Sequence, residues 1–256
     1  MSSPHTITRL DAGVLTLTFD RQSELNALTD EMYRAVDDAC ELADSSDEVR
    51  VLVLRGAGDR AFASGTEISR FEGFTGEDGV EYEAGITRTV HRLESVRVPS
   101  VAVVRGFCLG GGLALAAACD LRIATPCARF GVPIARTLGN CLSPDTQALL
   151  LHHFGPARCL DMLLNARMLS GTEAEAAGFV RLVDETDVEA EVERTTGRLL
   201  GHAPLTMWAA KEVQRRLRHS NVPDGRDIIA TVYGSRDFQA GVEAFLAGTR
   251  PRWTGG

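Results

Sequence analysis

Apolar positions along this chain alternate between short unbroken runs and helical spacing. Thr6–Leu10 and Val14–Phe19 read as a β pair. Thr29 then suits a helix cap, with Asp30 and Glu31 in the first turn and the helix running to about Ala43. Met32, Val36, Ala39 and Leu42 give that helix one apolar face. Strands are expected near Val51–Leu54, Ser100–Arg105 and Leu121–Ala124, with a helix near Val80–Val96 between the first two. The glycine- and acid-rich Glu72–Gly79 reads as a mobile surface loop. From Leu149 the pattern turns mostly helical, with short strands near Met168 and Val180. Beyond Val188 only helices remain, broken at Pro204 and Pro223. Periodicity alone supports an α/β protein followed by helices.

The most informative stretch is Val101–Asp120, VAVVRGFCLGGGLALAAACD. A β-branched run ends at Gly106, three glycines follow at Gly110, Gly111 and Gly112, and a strong helix former takes over. The leading amides of a helix lack intrahelical acceptors and sit at the positive end of its dipole. Glycines let a ligand oxygen approach them closely. No lysine follows, so GxxxxGK[ST] is not met, and the spacing is not GxGxxG. A carbonyl oxygen that gains negative charge during reaction fits this turn. So does a turn that only lets a helix pack closely on a sheet. A second segment, RVLVLRGAGDRAFASGTEI at Arg50–Ile68, again places small residues after a strand. An amide at Thr66 facing the amide at Gly111 would complete a two-donor oxyanion site.

These two segments in this order resemble the crotonase family, the enoyl-CoA hydratase/isomerase superfamily. DRQSELNAL at Asp20–Leu28, VRVPSVAVVRGFCLGGG at Val96–Gly112, ARFGVP at Ala128–Pro133 and MLSGTEAEAAGFVRLV at Met168–Val183 extend the resemblance over nearly the whole chain. It implies an α/β spiral of ββα units over residues 1–187 and a helical oligomerisation region over 188–256, forming a trimer or a pair of trimers. It implies an acyl-CoA thioester as ligand, its carbonyl on the Thr66 and Gly111 amides. Coenzyme A is then part of the substrate, and no separate cofactor is expected. The adenine site maps onto Ala63 and Ser64 with Ile68 nearby, and Gly110 and Ile134 fall within the binding segments. Relatives often carry a basic residue in the N-terminal signature for the CoA phosphates. Here Glu24 stands near that point and Arg21 is the candidate, unless it is simply a solvated arginine.

The resemblance also exposes a conflict. The two glutamates that hydratases of the family use map onto Ala114 and Ile134, and neither residue exchanges a proton. With one gap allowed, the single acid of the family's isomerases falls on Ser143. Asp145 is a second candidate, although SPDT also reads as a helix start. His91 is a third, because the family's dehalogenase branch has a histidine eight residues before the proline matching Pro99; an ordinary helix residue is the alternative. Glu67 reads as a loop-holding residue. Glu72, Glu81 and Glu83 fall where an acyl pocket could be lined, with solvated surface as the default. Arg136 could bind a substrate carboxylate or hold its own loop. Three functions follow: a hydratase or isomerase with an atypical proton donor; another reaction of the fold, such as thioester hydrolysis, decarboxylation or dehalogenation; or acyl-CoA binding without turnover.

Composition narrows the setting. The chain has 256 residues, 44% of them hydrophobic, enough for one large core. A formal charge of −8 argues against a nucleic-acid surface. MSSPHTITRL lacks a signal-peptide core, and no run approaches membrane-spanning length, so a cytoplasmic protein is expected. Cys40, Cys108, Cys119, Cys127, Cys141 and Cys159 form no CxxC and are expected as free thiols. His152 and His153 do not face one metal from a helix, and no ligand spacing recurs elsewhere, so no metal is expected.

Overall fold

The computed structural model describes residues 5–220, 222 and 224–254. The chain begins with an antiparallel pair, β1 (Thr6–Asp11) and β2 (Val14–Phe19), and helix α1 (Asp30–Ser45). Three strand–strand–helix passages follow: β3 (Val51–Gly56), β4 (Ala61–Ala63) and α2 (Gly76–Ser95); β5 (Ser100–Val104), β6 (Phe107–Leu109) and α3 (Gly111–Ala118); β7 (Leu121–Ala124), β8 (Arg129–Gly131), then α4 (Ile134–Thr137) and α5 (Pro144–Leu164). After β9 (Met168–Ser170), α6 (Gly171–Ala176) and β10 (Arg181–Leu182) come α7 (Val188–Leu200), α8 (Pro204–His219), α9 (Arg226–Tyr233) and α10 (Arg236–Leu246).

The first strand of each passage joins one sheet, in the order β1-β2-β3-β5-β7-β10, and the second strand joins another, β4-β6-β8-β9. Within the first sheet β2, β3, β5, β7 and β10 are parallel. Each turn of chain therefore crosses both sheets before a helix returns it, giving the expected spiral of ββα units. The β-branched runs are buried on both faces, as parallel strands require. Leu52, Leu54, Ala102 and Val104 face the main core. Val51, Val53, Val101 and Val103 face a second apolar layer that includes Val188 of α7.

Of the second sheet, β9 matches the short strand expected near Met168, whereas β4, β6 and β8 were not anticipated. They span three residues each, too short for a two-residue rhythm to emerge. Helix α2 starts at Gly76, earlier than expected, so only part of Glu72–Gly79 is a loop. Thr75 and Asp78 form a reciprocal cap there: the Thr75 hydroxyl accepts from the Asp78 amide, and the Asp78 carboxylate accepts from the Thr75 amide. On α1 the buried face is Met32, Tyr33, Val36, Ala39, Cys40 and Ala43; Leu42, expected there, is 40% exposed. Helix α5 begins at Pro144 behind a Ser143 cap and breaks at Gly155, ahead of Pro156. Pro204 opens α8, and Pro223 lies outside the described residues.

The tail folds back on its own chain. Ile229, Tyr233, Phe238 and Val242 join Phe71, Val80 and Leu138 in a separate apolar cluster beside α2. Helix α8, in contrast, buries none of its residues. The seating of α9 on α2 depends on a bare backbone at Gly79, where a Cβ would lie 2.1 Å from Tyr233 Cγ. Gly79→Ala is therefore expected to lower stability by about 1–3 kcal/mol, the ordinary cost of overpacking. Gly85→Ala on the same helix meets nothing nearer than Arg88 Nη2 at 3.6 Å. It is expected to gain roughly 0.5–1 kcal/mol. Urea denaturation of the two variants checks both signs.

Candidate active site

Two chain turns meet at the start of α3. Gly110 precedes the helix in a positive-φ conformation (φ 50°, ψ −121°) that disfavours any side chain. Gly111 is the first helical residue, so its N–H has no acceptor within the helix. Seven residues of α3, Gly112–Ala118, are buried, and the helix dipole acts with little water to screen it. On the other turn, Leu28 bridges to Thr66. The Leu28 N–H donates to Gly65 O at 2.8 Å, and the Glu67 N–H donates to Leu28 O at 2.9 Å. Neighbouring residues of an extended chain turn their amides to opposite sides, so the Thr66 N–H points away from Leu28. The two turns touch: a Cβ at Gly110 would sit 3.6 Å from Gly65 Cα, and one at Gly111 would sit 3.2 Å from Thr66 Oγ1.

Thr66 and Gly111 line a cavity of about 220 Å³. Its wall is mainly apolar, including Ile68, Phe71, Ile86, Ala114, Ile134 and Leu138, and Phe245 of α10 completes it from the tail. A larger cleft of about 510 Å³ between α1 and α2 shares Tyr82 and Ile86 with this cavity but reaches neither Thr66 nor Gly111. Thr66 is held by a run of hydroxyls. Its Oγ1 lies 2.8 Å from Tyr33 Oη and 2.7 Å from Tyr82 Oη. Burial pushes the Tyr33 phenol up to about 12 and raises Tyr82 as well, so both remain neutral hydrogen-bonding groups.

Among the described residues, one carboxylate lines the cavity, that of Glu83 on α2. It is 3% exposed. Oε1 accepts from Tyr233 Oη at 2.8 Å, and Oε2 accepts from the Ser143 amide at 2.8 Å. Asn140 Nδ2 donates in turn to Tyr233 Oη at 3.1 Å. Burial raises the Glu83 pKa to about 7, against the lowering effect of both hydrogen bonds. A buried carboxyl group poised near neutrality, on the same cavity as Thr66 and Gly111, can accept and return a proton. The default of solvated surface for Glu83 is therefore corrected. Its signal was present in the sequence: Glu83 falls on the stripe Val80, Glu83, Ile86, Val90, Leu93, all buried on α2. Tyr33 and Tyr233 were also missed. Tyr33 shares the buried face of α1, whereas Tyr233 arrives from 150 residues away.

Several expected site residues lie elsewhere. Ser64, Ile68, Gly110 and Ile134 do line the cavity, and Ala63 is buried behind it, its carbonyl 2.5 Å from where a Gly112 Cβ would stand. Arg21 does not reach the cavity; its guanidinium donates to Glu67 at 2.7 Å and to Ala27 O at 3.4 Å. Glu67 thereby holds its loop as expected. Arg136 is exposed on α4 and does not line the cavity. Ser143 is buried as the cap of α5, its hydroxyl accepting from the Thr146 amide at 3.2 Å. Asp145 and His91 contact each other, with His91 Nε2 3.0 Å from Asp145 Oδ1, and neither lines the cavity. None of these three, expected as proton-transfer candidates, lines the cavity.

All six cysteines are free, four of them buried. Among the described residues no helix is long and apolar enough to cross a membrane.

Residues 9–256 match the family model described as enoyl-CoA hydratase/isomerase. A probable enoyl-CoA hydratase of Mycobacterium bovis is 29% identical over 249 residues, 95% of each chain. One from Rhizobium meliloti is 31% identical over 236 residues, 90% of each chain. The crystal structure of an enoyl-CoA hydratase from Mycobacterium avium subsp. paratuberculosis superposes with a TM-score of 0.86 at 28% identity, covering 99% of this chain and 100% of that one. With the spiral of ββα units, the C-terminal helices and a match over nearly its whole length, this chain belongs to the enoyl-CoA hydratase/isomerase family.

Proposed function

We propose that this protein shifts the double bond of an enoyl-CoA thioester, using an oxyanion site at the Thr66 and Gly111 amides and Glu83 as a single acid–base group. The observation that carries the reading is the buried Glu83 carboxyl opening onto the same cavity as the two amides. The thioester carbonyl accepts from both N–H groups, which lowers the energy of the enolate formed when a proton leaves. Ionised Glu83 removes a proton from C2 of a 3-enoyl thioester, and the electron pair moves to the carbonyl oxygen as a dienolate. The same carboxyl group, now protonated, returns the proton at C4, leaving the conjugated 2-enoyl thioester. The step is redox-neutral, and coenzyme A enters only as part of the substrate. Hydration fits this cavity poorly, because the family resemblance maps the paired glutamates onto Ala114 and Ile134, which line the cavity and offer only hydrocarbon.

With a short 3-enoyl-CoA substrate, Glu83→Gln is expected to reduce kcat/KM by about 10²–10⁴-fold, the usual contribution of one positioned acid–base group. Because the ionised form is the base, wild-type kcat/KM should fall as pH drops below about 7. Tyr233→Phe removes a hydrogen bond that favours ionisation, so this acid limb should move to higher pH. Crotonyl-CoA hydration should be slower than in a relative with both glutamates by at least about 10³-fold. A fast hydratase with an unchanged Glu83→Gln variant would refute the reading.

The Gly111 donor is tested separately. A Cβ at Gly111 would lie 2.1 Å from Tyr33 Oη, so substitutions there are made together with Tyr33→Phe. Gly111→Pro deletes the N–H and is expected to cost at least about 10²-fold in kcat relative to Tyr33→Phe alone. Gly111→Ala keeps the N–H and should retain most of the activity. Equal losses in the two would show that space, not the donor, matters.

We also infer assembly into a trimer or a pair of trimers. Leu205, Trp208, Val213 and Leu217 of α8 are exposed, and apolar surface of this kind favours a partner. Sedimentation velocity at micromolar concentration should give a trimer or hexamer; a stable monomer would contradict the inference.

A further inference from the structure

Outside the cavity, three helices bring His91, Asp145 and His219 together. His91 comes from the C-terminal half of α2, Asp145 from the first turn of α5, and His219 is the last residue of α8. One nitrogen of each histidine and one oxygen of the aspartate lie within 4.8 Å of one another. We propose that these three side chains bind a divalent transition-metal ion of the zinc class, which ties the end of α8 to α2 and α5.

The donor set is the first argument. Two imidazoles and a carboxylate suit borderline ions such as Zn²⁺, which takes nitrogen and oxygen ligands at about 2.0–2.2 Å. Donors on a tetrahedral ion of that size stand about 3.3–3.5 Å apart. His91 Nε2 and Asp145 Oδ1 are 3.0 Å apart, and the third donor is close enough for small side-chain rotations to close the set. The second argument is an enclosed nitrogen. His91 Nε2 is shut off from solvent and makes no aligned hydrogen bond, although Asp145 stands beside it.

The surroundings favour the ligand form of the rings. The His91 and His219 rings meet edge to face, with centroids 4.4 Å apart and planes at 89°. Burial, and then the neighbouring His219, lower the His91 pKa against the opposing pull of Asp145 and Glu94. Glu94 Oε2 lies 3.0 Å from His219 Nε2. A carboxylate behind a ligating histidine fixes its ring and makes it more basic. Asp145 supplies negative charge on one side and Glu94 on the other, while Arg218 is paired with Glu94. The three residues come from positions 91, 145 and 219, so no local ligand spacing announces them. That is why the sequence suggested no metal.

The proposal is tested on tag-free, full-length protein stripped with a chelator and titrated with Zn²⁺ by calorimetry. One equivalent per chain is expected, with a higher Tm for the loaded protein. His91→Gln and His219→Gln should each weaken binding by at least about 100-fold, more than a change behind the ligands costs. Co²⁺ should give visible bands of a low-coordinate nitrogen–oxygen site, without the near-ultraviolet thiolate band that a cysteine ligand would add. Failure of the stripped protein to take up either ion would overturn the proposal. So would uptake unchanged in the His91→Gln, His219→Gln double variant, or a thiolate band. Should a variant fail to fold, the wild-type stoichiometry and Co²⁺ spectrum still decide. None of these measurements depends on turnover, so they stand apart from the role proposed for Glu83.

Discussion

The carboxylate of Glu83 sits almost out of reach of water at the junction of α2, the start of α5 and the end of α9. Burying a charge there is costly, and the hydrogen bonds from Tyr233 Oη and the Ser143 amide offset only part of that cost. The residue of the penalty is visible in a pKa raised from 4.5 to about 7. A folded-state value above the unfolded one means that the folded chain holds the proton more tightly. Its stabilising contribution is complete below the ordinary carboxylate range and fades as pH rises through 7. Much of the local architecture serves this group. Tyr233 is fully buried so that its hydroxyl can reach Glu83, which requires α9 to lie against α2. That contact in turn requires a glycine at position 79.

The same packing connects the tail to the two amides. Phe71, Phe74, Tyr82, Tyr233 and Phe238 form a continuous set of edge-to-face and tilted ring contacts. Tyr82 ends that set at the Thr66 hydroxyl, and Tyr33 grips the hydroxyl from α1. The turn that presents the Thr66 amide is therefore fixed from both sides by groups whose rings are locked in apolar packing. An oxyanion site gains most from donors that need not move when charge develops. The α9–α10 segment contributes to that rigidity through Tyr233, Phe238 and Phe245, although it follows the glycine triplet by more than a hundred residues.

What was legible from the residues follows the range of the interactions involved. The strands of the larger sheet and helices α1 and α3 rest on local periodicity and capping, and Gly110–Gly111 rests on a backbone demand that only glycine meets easily. The whole-chain resemblance added the spiral and the family. Glu83 was half legible, since a glutamate on the stripe shared by Val80, Ile86 and Val90 contradicts the amphipathic pattern around it. What it contacts was not legible, because Ser143 and Tyr233 lie 60 and 150 residues away. Asp145 illustrates the opposite failure. Its place in the first turn of α5 was readable, but its neighbour His91 and the cavity it does not reach were not. Arg21 likewise carries the right charge for a phosphate, and only the fold reveals that Glu67 has engaged it.

One carboxyl group and two carboxyl groups ask for different cavities. Adding water across a double bond places a hydroxyl at one carbon and a proton at the next, so a water molecule must be held and activated while a second group moves the proton. Such a site needs polar walls. Moving a proton between two carbons of one substrate needs a single base within reach of both, and it gains from the absence of competing water. The walls here at Ala114 and Ile134 are hydrocarbon, and the polar atoms of Glu83 are already engaged by Tyr233 and Ser143. The desolvation that lifts Glu83 to a useful pKa is the same desolvation that would withhold the co-substrate of hydration. On the proposed reading, loss of the glutamate pair and a raised carboxyl pKa are one physical property of a dry cavity, and the shift of reaction from hydration to isomerisation follows from it.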